Sequence, residues 1–117
     1  IVDDDSDTLS LVRHLLPEAQ YEVIEAHDAF AGLREFYFRT PDVVLADALL
    51  PLMSGLDLCR VIKSHPERGR TPVVMLSAAA QEEEIRNGYQ VGADAYLVKP
   101  FSSQDLLDTL RRIDAGR

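Results

Sequence analysis

The chain has 117 residues, 46% of them hydrophobic, which suits one domain with its own core and leaves no room for a second. A formal net charge of −8 argues against general nucleic-acid binding, since phosphate contacts need clustered Lys and Arg; the one basic cluster, Arg68-Gly69-Arg70, reads as a solvated loop. Cys59 stands alone, which excludes an internal disulfide, and no apolar stretch reaches the ~18 residues of a membrane span, so the expectation is a domain of the reducing cytoplasm with no membrane contact.

Apolar runs of strand length alternate with amphipathic stretches along the whole chain. Ile1-Val2 is the tail of a first strand, so the chain is expected to be one domain, 1–117, taken from a longer protein. Asp5 or Ser6 can cap a helix that turns Leu9, Val12, Leu15 and Leu16 to one side before Pro17. Residues 22–26 read as a strand. Asp28 can cap a second helix, with Phe30, Leu33 and Phe36 or Tyr37 inward. A strand over 42–47 follows Pro41, and a loop holding Pro51 and Gly55 leads to a helix with Leu58, Cys59 and Ile62 inward. Val73-Val74-Met75-Leu76 is a fourth strand. A helix over about 81–91 ends at Gly92, and Asn87-Gly88 within it is unusual because Gly weakens a helix interior by about 1 kcal/mol relative to Ala. Residues 95–98 form a fifth strand, and Ser102 or Ser103 caps a last helix with Leu106, Leu107, Leu110 and Ile113 together. His14, His27 and His65 show no ligand spacing and read as surface residues, and Cys59 reads as core.

A strand followed by a helix, five times over, predicts an α/β fold with a doubly wound five-stranded parallel sheet and helices on both faces. The continuously apolar runs at 43–46 and 73–76 fit strands buried on both sides. Ligands of such sheets bind beyond the carboxyl ends of the strands. Asp3, Asp4, Asp47, Ser77 and Lys99 all fall at or just past predicted strand ends. Three crowded carboxylates repel one another and call for a cation. Hard oxygen ligands suit Mg2+, which keeps part of its water and meets phosphate well. A carboxylate beside such an ion can attack a phosphoryl group, a reaction that needs mainly alignment and charge neutralisation. Lys99 would add a fixed positive charge, and the Ser77 hydroxyl could donate to a phosphoryl oxygen.

These residues resemble the receiver domain of two-component response regulators, of the chemotaxis-receiver kind, over nearly the whole chain. The resemblance is carried by the acidic pair in Val2-Asp3-Asp4-Asp5, the segment Asp47-Ala48-Leu49-Leu50-Pro51-Leu52-Met53-Ser54-Gly55, the pair Ser77-Ala78, and the run from Gly92 through Lys99-Pro100-Phe101. It implies a flavodoxin-like strand order, 2-1-3-4-5. It also implies that Asp47 accepts a phosphoryl group from a histidine kinase or phosphotransfer protein. Asp4 would bind Mg2+ directly, Asp3 mainly through water, and the Leu49 backbone carbonyl and Asp47 would complete the protein ligands, with Mn2+ as a substitute ion. Lys99 would contact the phosphoryl group, its peptide bond to Pro100 would be cis, and Ser77 and Tyr96 would form the switch pair. A homodimer through the 81–115 face is a further implied partner. Such a domain is a phosphoacceptor that assists its own phosphorylation and dephosphorylation, not an enzyme in the ordinary sense.

Leu50 and Ser54 depart from the Met and Asp common in the family, at positions that carry no chemistry. The resemblance implies that Leu49 and Ala79 occupy the two positions that tune dephosphorylation in the family; neither side chain can orient water, so slow self-dephosphorylation is expected. The apolar loop Leu49–Met53 reads equally as a lid on the core or as a partner surface. A calcium loop starting at Asp3 needs Gly at position 8 and Glu at position 14, and the chain has Thr8 and His14. The competing enzyme reading is a small aspartyl phosphatase of the haloacid dehalogenase type, using Asp3 and Asp5. Its Asp-x-Asp-x-Thr/Val pattern is half matched, with Asp7 at the fifth place and no later acidic pair.

Overall fold

The computed structural model describes residues 1–78 and 82–116. Its regular sheet has three parallel strands, β1 (Val44–Asp47), β2 (Val73–Ser77) and β3 (Ala95–Val98), in that spatial order. The register pairs Asp47 with Leu76 and Ser77 with Val98, so the carboxyl ends of all three strands share one edge. Val2 extends the sheet by single parallel bridges to Ala46 on one side and Ala26 on the other. Read across, the five apolar runs lie in the order 2-1-3-4-5. The first two are shorter than expected, however: residues 22–25 are not strand, and Val2 and Ala26 are isolated bridges. The runs are joined by hydrogen bonds from Val2 N–H to Leu45 at 2.8 Å, from Asp47 N–H to Val2 at 2.9 Å, and from Asp3 N–H to Ala26 at 3.0 Å.

Helices cover both faces. Alternate residues of each strand feed two cores, as a pleated strand requires. Val44, Ala46, Val73 and Met75 pack with Phe36 of α2 (Ala29–Arg39) and with Leu58, Cys59 and Ile62 of α3 (Gly55–Lys63). Leu45, Val74, Leu76 and Leu97 pack with Val12 and Leu16 at α1 (Ser6–Leu15) and with Leu106 and Leu110 of α5 (Ser103–Ala115). α4 (Glu82–Gln90) precedes β3. The caps follow residue chemistry: Asp5, Asp28, Ser54 and Ser102 each accept a backbone N–H of the first helical turn, and Ser102 with Asp105 makes a reciprocal capping box. Ser54 is thus a working cap for α3.

Three expectations are corrected. Phe30 is not inward but 55% exposed, and Tyr37 is 48% exposed. α2 is rotated so that Ala29, Gly32 and Phe36 face the sheet, because Gly32 lets the helix ride close over Val2. Arg68 is no free loop residue. Its guanidinium lies 4.4 Å from the Phe36 ring centroid and donates to the carbonyls of Phe36 and Tyr37, closing the C-terminal end of α2. His65 is half-buried rather than on the surface, and its Nδ1 accepts the backbone N–H groups of Glu67 and Arg68, which shapes that loop. Cys59 is core as expected, and burial raises its thiol pKa to about 11. Among the described residues no helix is long and apolar enough to cross a membrane.

Candidate functional site

The carboxyl edge of the sheet gathers the acidic residues. One carboxylate oxygen from each of Asp3, Asp4 and Asp47 lies within 4.8 Å of the others. They arrive by different routes. Asp3 and Asp4 follow the Val2 bridge, and Asp47 ends β1, tied to Val2 by its own N–H. The environments differ as well: Asp3 is fully buried, Asp47 half-buried and Asp4 exposed.

Lys99 joins them from the end of β3. Its N–H donates to the Ser77 carbonyl at 2.7 Å, which continues the β2–β3 ladder one step beyond Val98. Its Nζ donates to Asp3 Oδ2 at 2.6 Å and to Asp47 Oδ2 at 3.1 Å. Burial alone would lower the Lys99 pKa. Hydrogen bonds to Asp3 and Asp47, joined by the charges of both carboxylates, outweigh it and raise the pKa above its ordinary value. The crowded carboxylates therefore already have one internal cation. The Lys99–Pro100 peptide bond is cis.

The remaining oxygens are partly committed. Asp3 Oδ1 accepts the Asp5 N–H at 2.9 Å, and Asp47 Oδ1 accepts the Leu49 N–H at 2.9 Å. Asp5 belongs elsewhere. Its two oxygens take the Asp7 N–H and the Thr8 hydroxyl at the start of α1. That leaves it outside the acidic cluster and weakens the Asp3/Asp5 phosphatase reading. Ser77 ends β2 and is buried, and Tyr96 lies mid-way along β3, half-buried. The Leu49–Met53 loop divides. Leu50 turns into the core and Met53 packs against it, whereas Leu49 is 74% and Leu52 92% exposed, the latter at a φ of 69°. Ala79 lies outside the described residues.

The donor set fits Mg2+: three hard carboxylates, one of them exposed, on one edge. Sequence reasoning missed one positioning residue. Gly55 sits so close to the end of β1 that a Cβ there would fall 1.9 Å from the Asp47 carbonyl oxygen. No residue but glycine allows α3 to begin against the backbone of Asp47. The signal was a glycine eight residues after the acidic strand end, read above only as a loop residue and as part of a longer segment.

Comparison with known proteins agrees with this geometry. The chain matches the model of the response regulator receiver domain over residues 1–111. It is 37% identical over 110 residues to the phosphate regulon transcriptional regulatory protein PhoB of Rhizobium meliloti, covering 92% of this chain and 47% of that protein. The chain thus spans about half the length of that curated relative. Among solved structures, it superposes on the chemotaxis response regulator CheY4 of Vibrio cholerae with a TM-score of 0.89 at 34% identity, covering 96% and 93% of the two chains. The receiver domain of the sensor histidine kinase PA1611 from Pseudomonas aeruginosa PAO1, solved with a magnesium ion in its active-site cleft, gives a TM-score of 0.85 at 30% identity, covering 97% and 93%. The phosphatase alternative finds no support in these matches. This chain belongs to the response regulator receiver domain family of two-component systems.

Proposed function

We propose that the chain is the phosphoacceptor of a two-component phosphorelay, taking a phosphoryl group onto Asp47 from a phosphohistidine of a histidine kinase or phosphotransfer protein. The observation that carries this reading is the meeting of Asp3, Asp4 and Asp47 with the Lys99 ammonium at one sheet edge. An Asp47 carboxylate oxygen attacks phosphorus, the P–N bond to the donor imidazole breaks with its electron pair, and an acyl phosphate forms on Asp47. Mg2+, when bound, supplies charge neutralisation between the carboxylate and the incoming phosphoryl oxygens. Asp4, the exposed member, would be the main side-chain ligand; Asp47 and the Leu49 carbonyl would add ligands, and Asp3 would act mainly through water. The Leu49 N–H holds Asp47 Oδ1 in place, and Lys99 is poised to leave Asp47 Oδ2 for a phosphoryl oxygen. Ser77 would donate to that group, and Tyr96 would answer its movement.

The domain would work in the cytoplasm and switch a partner or an output rather than turn over a substrate. By likeness to the PhoB relative, that output would be transcriptional control by a further part of the protein. A second copy would bind through the 81–115 face, whose first residue lies outside the described residues. Leu49 offers no polar group to an attacking water, so the acyl phosphate should decay slowly.

Phosphoramidate, a small P–N donor, tests this. With Mg2+ the protein should gain the mass of one phosphoryl group, removed by hydroxylamine and stable through manual handling at neutral pH. Label formed equally well in EDTA, or equally well by Asp4→Ala, would count against the metal assignment. Loss within the mixing time would contradict slow decay.

A further inference from the structure

Gly88 is buried in the second half of α4, where an alanine would make the better helix. The structure gives a reason for its presence. An ideal Cβ on residue 88 would meet Tyr96 Cε2 at 3.1 Å and Cδ2 at 3.4 Å, with Met75 Cγ at 3.7 Å. The first distance is below ordinary carbon contact and the last is within it. The Tyr96 ring therefore lies directly against the backbone of α4, in the space a side chain would take. Met75 is fully buried on β2 and is the register partner of Tyr96. The same two strands run on to Ser77 and Lys99.

We propose that Gly88 is a positioning residue for Tyr96: its missing side chain is the seat that holds the ring in the unphosphorylated protein, and so sets how readily Tyr96 leaves when Asp47 is phosphorylated. This rests on the reading of Asp47 as phosphoacceptor and of Ser77 and Tyr96 as switch pair, and adds the residue that holds one of the two packings. A ligand shifts a two-state equilibrium only through unequal interaction with the two states. A side chain at 88 acts in the same way from the opposite side. It penalises the seated ring while touching no atom at the acidic edge.

Two linked measurements test the seat on Gly88→Ala and on Gly88→Leu. The first is NMR of backbone amides and tyrosine rings, with and without beryllofluoride as phosphoryl mimic. For Gly88→Ala without the mimic, resonances of residues 94–98 and of the Tyr96 ring should lie part-way along the line between the two wild-type positions. Gly88→Leu should lie further along it. Shifts confined to the neighbours of residue 88, in unrelated directions, would overturn the proposal. The second is a stability cycle with Tyr96→Ala. Gly88→Ala should raise the unfolding midpoint more in the Tyr96→Ala background, where no ring is displaced, than in wild type. Equal changes in both backgrounds would refute the seat. A wild type that ignores beryllofluoride would overturn the phosphoacceptor reading instead, and the stability cycle would still decide the seat.

Discussion

Lys99 Nζ lies 2.6 Å from Asp3 Oδ2, closer than to Asp47 Oδ2 at 3.1 Å, so the ammonium is held chiefly by the fully buried carboxylate and only secondarily by the half-exposed one. Asp3 is the chief anchor of the Lys99 ammonium, and Asp47 holds it at longer range. Removing the cation should therefore be far more damaging than neutralising Asp47. Lys99→Met leaves Asp3 buried without its ion partner, a change that costs about 3–5 kcal/mol in comparable pairs. Asp47→Asn keeps the Lys99–Asp3 pair and should change stability by no more than about 1 kcal/mol. Urea unfolding in EDTA checks both. Equal losses for the two variants would show that Lys99 serves both carboxylates alike. Mg2+ should return part of the loss in Lys99→Met, because a ligand that binds only the folded state stabilises it.

Alkaline pH should weaken the fold through Cys59. Burial raises its pKa from 9.0 to about 11, so the folded thiol keeps a proton that the unfolded thiol gives up. That contribution is complete below pH 9, falls as the pH rises, and is gone above about 11. The shift corresponds to roughly 2–3 kcal/mol across the window. Lys99 has a raised pKa too, so its contribution is complete below its ordinary 10.5 and is lost only as the pH rises through the higher folded value. Chemical unfolding of wild type and Cys59→Ala at pH 8 and pH 11 separates the two groups. The loss of stability should be smaller in Cys59→Ala. An equal loss in both proteins would mean that the thiol does not contribute.

Gly55→Ala should disturb both the fold and the acceptor. The added methyl would sit 1.9 Å from the Asp47 carbonyl oxygen and 2.7 Å from its carbon, so either α3 or the end of β1 must move. Overpacking of this kind costs about 1–3 kcal/mol. Because the atoms in conflict belong to Asp47 itself, the initial rate of labelling by phosphoramidate should fall as well. Wild-type values for both unfolding midpoint and labelling rate would show that the close approach is dispensable.

The parts of this molecule legible in its sequence are those fixed by local chemistry. Strand ends carrying Asp47 and Lys99, the caps Asp28 and Ser102, and the core residues Leu58, Cys59 and Ile62 all announce themselves through period or position. What escaped notice depends on contacts between distant residues. The rotation of α2, which leaves Phe30 outside, follows from the fit of Gly32 over Val2, thirty positions earlier. The stacking of Arg68 on Phe36 joins residues 32 apart and leaves no local mark. Gly55 and Gly88 read as a loop glycine and a weak helix residue; only the backbone of Asp47 and the ring of Tyr96 explain them. The acidic edge was legible as a set, but not the burial of its members, with Asp3 fully buried, Asp47 half-buried and Asp4 exposed, nor the closer hold of Asp3 on Lys99.

The assignment of Asp47 is tested most directly by finding where the phosphoryl group goes. Borohydride reduces an aspartyl phosphate to homoserine, which tandem mass spectrometry reads at a single position. After treatment with phosphoramidate and Mg2+, homoserine is expected at position 47 and nowhere else, and Asp47→Asn should yield none. Homoserine at position 3, or label surviving in Asp47→Asn, would contradict the account and move the chemistry to the first acidic segment.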